Sequence, residues 1–356
     1  MCNYDLYAQL LVQLTRLLPQ GKAALITNLA LMVLALAQSA DCHLATLATV
    51  LPLGGQRENL IQRLRRFLKH PRLSQRVYYL PLVKHLFAHW QGVEVALVMD
   101  RTDLNDRWSL LVLGVALGKR ALPLAWCLLP FGATPAGVQL KLLKHIQPWL
   151  PDPTKVRITL FGDAEFRAVE VQAYCRRQGW HWQVGVKSDT LFRTANGPWQ
   201  PLSRLGVAPG QRLYVQNIFL TREHNFGPVN LIVDWNPKED APRYIVLDQK
   251  ADGQAFRRGR KRFWIEPTFR DWKSYGFDLE NSGLQAPQRI ENLVLAMAVT
   301  TLWMIYLGQA LTDSGQRTLL EAEHKQDYSL FRLGRDWLRR SLALGQPVAV
   351  GFRVTP

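Results

Sequence analysis

Two aspartates follow apolar runs. Asp100 comes directly after Val93–Met99, and Asp163 follows Val156–Phe161 with Gly162 between. Runs of this type fill buried strands, and a carboxylate at the end of one is poorly solvated unless something neutralises it. If the two strands are parallel neighbours, both carboxylates converge at one end of a sheet and repel each other. Hard oxygen ligands in that position are what Mg²⁺ takes in phosphoryl transfer. Strand-end aspartates also serve as plain turn formers, so both readings stand at this level.

A third acid lies in RRGRKRFWIEPTFRDWKSYGFDLE, residues 257–280. On an α-helix, Ile265, Phe269 and Trp272 form an apolar stripe, with Arg262, Glu266, Arg270 and Lys273 as a polar stripe beside it. An acid flanked by cations on one face can ligate a metal while its neighbours hold phosphates. Surface ion pairs at i, i+4 are the alternative. Pro267 tolerates only a first helical turn, which puts Arg262 just before the helix.

The elements that must position these residues follow from periodicity. Residues 1–90 read as helices through Leu10–Leu18, Ala23–Leu36 and Leu60–Phe67. From residue 93 the order is β-β-β-α-β-α-β: Val93–Met99, Trp108–Leu117, Leu122–Leu129, helix Pro135–Trp149, Val156–Phe161, helix Ala164–Gln178 and His181–Val186. Three strands joined by short turns, then alternating α and β, is the ribonuclease-H-like arrangement. Residues 188–255 read as a β-rich insertion, with runs at Leu213–Leu220, Val229–Asp234 and Arg243–Leu247. Helical periodicity returns near Trp264. The predicted layout is therefore an N-terminal helical DNA-binding domain (1–90), an α/β RNase H-like core in two parts (91–187 and 256–312) around the insertion, and a helical C-terminal segment (313–356).

Charge narrows the partner. The chain of 356 residues carries a net charge of +16, which points to a polyanion. Residues 54–90 hold Arg57, Arg63, Arg65, Arg66, Lys69, Arg72, Arg76 and Lys84 against Glu58 alone. A basic helix after the Gly54-Gly55 turn suits helix-turn-helix DNA binding, with Arg57, Arg63, Arg65, Arg66 and Lys69 as candidate contacts; a solvated helix face is the plainer reading. Four cysteines without a CxxC pair exclude a disulfide scaffold and a typical structural zinc site. Ala23–Ala37 is too short to span a bilayer, and Leu293–Leu311 is interrupted by Thr300, Thr301, Gly308 and Gln309, so it reads as a buried core helix. A soluble cytoplasmic protein without a membrane or small-molecule partner is expected.

The spacing Arg262-x3-Glu266-x6-Lys273 resembles the Y-x2-R-x3-E-x6-K pattern of bacterial insertion-sequence transposases of the DDE class, in the cut-and-paste group. WIEPTFRDWKSYGFDLE is similar to that family across its length, VMDRTD supplies Asp100 as the first acid and LFGDAEF supplies Asp163 as the second. Separations of 63 and 103 residues between the acids fit, and the likeness spans roughly residues 5–340. It implies Asp100, Asp163 and Glu266 as catalytic metal ligands for two Mg²⁺ ions, with Mn²⁺ able to substitute. It also implies phosphate contacts from Arg262, Arg270 and Lys273, terminal inverted repeats and target DNA as substrates, a homodimer on DNA, and a nucleoid-associated bacterial setting. A hairpin intermediate belongs to the same group. In relatives an aromatic late in the insertion stacks on a flipped base; Tyr244 in PRYIVLD occupies that place, although a strand tyrosine also packs on its sheet. The pattern's Tyr falls at Gly259, where a left-handed backbone would explain the glycine. A metal-dependent nuclease or resolvase on the same fold, and a non-catalytic transposase-derived DNA-binding protein, are the competing functions.

Overall fold

The computed structural model describes residues 2–39 and 41–355. Six helices open the chain: α1 (Asn3–Leu17), α2 (Ala23–Gln38), α3 (Leu44–Thr49), α4 (Arg57–Leu68), α5 (Gln75–Tyr78) and α6 (Leu80–Ala88). Then come β1 (Glu94–Asp103), β2 (Trp108–Leu117), β3 (Arg120–Pro130), α7 (Ala136–Ile146), β4 (Arg157–Gly162), α8 (Val169–Arg177) and β5 (His181–Val186). The inserted stretch adds β6 (Leu191–Arg193), β7 (Gln200–Pro201), β8 (Arg212–Leu220), β9 (Phe226–Asp234) and β10 (Arg243–Leu247). Helices α9 (Gly253–Gly259), α10 (Ile265–Arg270), α11 (Pro287–Asp313) and α12 (Leu330–Ala343) complete it.

All ten strands form one mixed sheet in the order β3-β2-β1-β4-β5-β10-β9-β8-β6-β7. β1, β2 and β3 are antiparallel, whereas β4 is parallel to both β1 and β5. The insertion therefore lengthens the sheet: β10 pairs antiparallel with β5, so the β-type runs that Gly and Pro separate in sequence find partners along an existing edge. An unpaired edge exposes backbone donors and acceptors, and adding strands satisfies them.

The sheet rests against helices through one large apolar core that runs from Leu6 to Val354. α11 is at its centre, long and apolar enough to cross a membrane by composition, yet 83% of its most apolar window is buried inside the fold. α2 is shorter but more apolar and packs on α11, so the N-terminal helices share the core of the rest of the chain.

Several local expectations shift. β1 does not stop before Asp100 but continues to Asp103, because β2 keeps pairing with it (Asp100 with Val112, Asp103 with Ser109) after β4 has ended. The helix expected over Ala164–Gln178 splits into a 3₁₀ turn, Ala164–Phe166, and α8. Helix also begins earlier than Trp264: α9 starts at Gly253, with Asp252 capping Ala255 N–H, so the basic stretch around Gly259 is helical although it lacks an apolar stripe.

Candidate active site

The two aspartates meet through register. β1 and β4 run parallel from Glu94 beside Arg157 to Val98 beside Phe161, and continuing that register by two residues leads to Asp100 on β1 and to Asp163, one residue past the end of β4. Adjacent strands lie about 4.8 Å apart, so carboxylates at one level on parallel neighbours feel each other strongly. Two glycines make room for the chain here. A Cβ on Gly162 would come within 2.9 Å of Phe166 Cβ, and one on Gly185 within 2.9 Å of Ala164 N. The first would press on the Phe166 side chain, and the second on the backbone between Asp163 and Ala164. Asp163 Oδ1 accepts from Glu165 N at 2.8 Å and caps the 3₁₀ turn, while Asp100 Oδ1 accepts from Arg101 N at 2.8 Å.

Glu266 arrives on α10, which is pinned to the sheet edge. Thr268 Oγ1 accepts from Ala121 N at 3.1 Å and donates to Ala121 O at 2.9 Å, and Ile265, Phe269 and Trp272 are buried as their spacing predicted. Trp272 Nε1 donates to Thr301 Oγ1 on α11 at 3.0 Å. Glu266, beside that stripe, is exposed. The polar side is not one α-helical stripe, however. Arg262 lies in a 3₁₀ turn, Arg260–Trp264, and Lys273 in a π turn, Asp271–Tyr275. Pro267, in the first turn of α10, has no N–H to give to a carbonyl one turn back, so the α-helix does not extend back over Arg262.

The charges converge on Asp100. Burial above all pushes its carboxyl up to about 7; the amide of Arg101 and the guanidinium of Arg262 act downward, while Asp163 and Glu266 act upward. Arg262, whose guanidinium lies 4.2 Å from the Phe263 ring centroid, is thus the cation of this cluster. Lys273 stands nearby but engaged: its Nζ donates to Asp103 O at 2.8 Å and pairs with Glu280 at 2.6 Å. Arg270 is exposed at the end of α10.

The expected metal-ligand set is not drawn together. Among the described residues, no group of three or more His, Cys, Asp and Glu stands where it could hold a metal ion. Like charges separate the three acids, and each Asp turns one oxygen to a backbone amide instead. The donor chemistry nevertheless fits a hard divalent cation, because all three acids are oxygen donors whose surplus negative charge already acts on Asp100.

Other expected residues fall elsewhere. Tyr244 is 7% exposed, within β10 between β5 and β9, and its ring belongs to the core; it offers no free face for a base. On α4, Arg57 donates to Ala45 O and Arg63 to Asn28 Oδ1, whereas Arg66 and Lys69 are exposed and Arg65 is half-buried. Two residues without a sequence signal join the neighbourhood. Glu165 Oε1 accepts from Thr134 N at 2.9 Å, and Glu165 Oε2 is 3.5 Å from Arg101 Nε. Only the turn after Asp163 brings that acid beside Arg101.

Gly259 is not left-handed: its φ is −59°. A Cβ there would stand 2.0 Å from Gln183 Nε2 and 2.9 Å from its Cδ, so close approach of α9 to β5 is what requires the glycine. Gly259→Tyr is expected to lower the melting temperature, and Gln183→Ala in the same chain to restore most of the loss. Equal melting of wild type and the Tyr single variant would show that Gln183 simply swings aside.

The raised Asp100 carboxyl predicts a pH signature. The unfolded group titrates near the ordinary aspartate value of 3.8 and the folded one near 7, so the folded protein holds a proton that the unfolded chain releases. Stability contributed by this group is present at low pH and falls as pH rises between those values. In chelator, Asp100→Asn should therefore gain melting temperature over wild type at pH 8 and much less at pH 5. A gain of equal size at both values would mean that Asp100 is already ionised.

Residues 133–303 match the family described as the transposase DDE domain. That stretch holds Asp163 and Glu266 and begins after Asp100. The match supports a DDE transposase, a family that points to nuclease or strand-transferase activity and generally uses divalent metals. A cryo-EM structure of the piggyBac transposase synaptic complex with hairpin DNA is similar to 97% of this chain and covers 84% of its own, at 10% identity and a TM-score of 0.47. No curated protein matches the chain in sequence.

Proposed function

We propose that the chain is a cut-and-paste DNA transposase of the DDE class, with Asp100, Asp163 and Glu266 as its catalytic acids. One observation carries this reading: a half-buried aspartate on β1 feels two further acids and one arginine, brought from the end of β4 and the α10 segment. The order β3-β2-β1-β4-β5, with β4 and β5 parallel to β1, supports an RNase H-like core.

Asp100, Asp163 and Glu266 would hold the divalent ions, most simply two Mg²⁺. Bound there, these ions supply activation of water and stabilisation of the leaving 3′ oxygen. Arg262, beside Asp100, is positioned to hold a non-bridging oxygen of the scissile phosphate. Arg270 extends that cationic edge, and Lys273 joins it by exchanging Glu280 for phosphate. Water adds to phosphorus, the bond to O3′ breaks, and a 3′-OH and a 5′-phosphate remain. The 3′-OH then attacks a phosphorus of the opposite strand, giving a hairpin, or of target DNA; in each case the attacked strand's P–O3′ bond breaks and its 3′-OH leaves. A homodimer pairing two terminal inverted repeats completes the reading.

Strand transfer separates this from a nuclease on the same fold. With Mg²⁺ and pre-cleaved element ends, the purified chain is expected to join 3′-OH ends to a target plasmid. Nicking without any joined product would favour a nuclease or resolvase.

A further inference from the structure

A cleft of about 520 Å³ lies between the start of α2 and α4, well away in sequence from the acids. Its walls include Lys22, Asn28, Asn59, Arg63, Arg66 and His70. Asn59, Arg63 and Arg66 recur at i, i+4 and i+7 on one face of α4, and His70 lies two residues past its end. That stripe borders the cleft on the side toward α2, with Asn59 and Arg66 exposed and Leu64 and Leu68 buried on the adjoining side. Arg63 is fixed in the wall by its Nε donating to Asn28 Oδ1 at 2.7 Å.

The cleft has no counter-charge. No Asp or Glu lines it, and the nearest acid in sequence, Glu58, accepts from Gln62. Lys22 and Arg66 form no ion pair among the described residues, and both are exposed. α2 also begins without a side-chain cap or an acid in its first turn, which adds partial positive charge. Guanidinium and ammonium groups gathered this way match phosphate oxygens. From Asn59 to Arg66 the stripe runs about 10 Å along α4 at 1.5 Å per residue, whereas phosphates on one strand recur every ~3.4 Å of duplex axis. It is thus longer than a single free phosphate requires.

We infer that this cleft grips the sugar-phosphate backbone of duplex DNA, with Lys22 and Arg66 as its phosphate ligands. The inference rests on the DNA-processing function proposed above. It also changes what α4 does. A helix whose arginines line a phosphate cleft holds DNA in position without reading bases, because phosphate contacts carry no sequence information directly.

The test is fluorescence anisotropy of the full chain on two labelled duplexes of unrelated sequence, across a range of KCl. Each lost phosphate contact lowers the slope of log K against log[salt] by about 0.9. The double variant Lys22→Gln/Arg66→Gln should therefore lose about 1.8 of slope, with the same fold-loss of affinity on both duplexes. An unchanged slope in a variant that melts like wild type overturns the inference. So does a loss confined to one duplex, which would make α4 a base reader. Calorimetric titration with ATP covers the other source of phosphate: ATP binding that the variant abolishes while the duplex slope stays fixed also overturns it. Wild-type cleavage in Mg²⁺ is scored separately. A chain that never cuts but shows the slope change loses the transposase reading and keeps the cleft.

Discussion

Asp100→Ala, Asp163→Ala and Glu266→Ala, made singly, are each expected to lower DNA cleavage in Mg²⁺ by on the order of a thousand-fold, about 4 kcal/mol of barrier. Affinity for duplex DNA should stay close to wild type, since the basic segments that supply it are elsewhere. The expectation comes from the charge cluster: Asp100 and Asp163 share one level of the sheet, and Glu266 acts on the same carboxyl from α10. Melting curves guard against a trivial loss of fold, and removal of the buried Asp100 charge should if anything stabilise the metal-free protein. Gel-based cleavage at matched protein-DNA occupancy decides the matter. A variant that cuts at near the wild-type rate takes its residue out of the catalytic set.

Gly334→Ala should produce the largest loss of stability, roughly 3 kcal/mol. α11 and α12 cross so closely that a Cβ on Gly334 would lie 1.9 Å from Met304 O, and one on Gly308 would lie 2.0 Å from Leu330 O. Both obstacles are backbone, which cannot rotate out of the way as a side chain can. The helices must separate, and with them the buried contacts of α12. Among these, Arg335 donates to Gly276 O at 2.9 Å and so holds the end of the π turn that carries Lys273. Cleavage should fall along with stability. Gly137→Ala is the control: Gly137 lies in the first turn of α7 with nothing near its missing Cβ, so alanine should be neutral or mildly stabilising there. Chemical denaturation of the three proteins measures the difference. A Gly334→Ala protein as stable as wild type would mean that the two helices pack less tightly than described.

Particular residues show what was legible in the sequence and what was not. The five core strands and three of the five insertion strands, β8, β9 and β10, follow from short apolar runs between turn residues, because side-chain periodicity is a local property of the chain, whereas the short β6 and β7 carry no such run. The stripe Ile265, Phe269 and Trp272 followed from helical spacing and is buried. Asp100, Asp163 and Glu266 could be named from residue type, spacing and resemblance. That the first two share a level needed the parallel pairing of β1 with β4, a contact between segments 63 residues apart. Tyr244 looked available from its neighbours in sequence, yet β5 and β9 on either side enclose it. Gly259 suggested an unusual backbone, but the constraint is Gln183 arriving from another strand. The basic face of α4 was visible as charge, whereas its direction toward α2 depended on which neighbouring residues the core buried. Sequence by itself determined which side chains and which periodicities were present. Only the tertiary structure decided which of them face each other, because packing and register join residues that no local pattern connects.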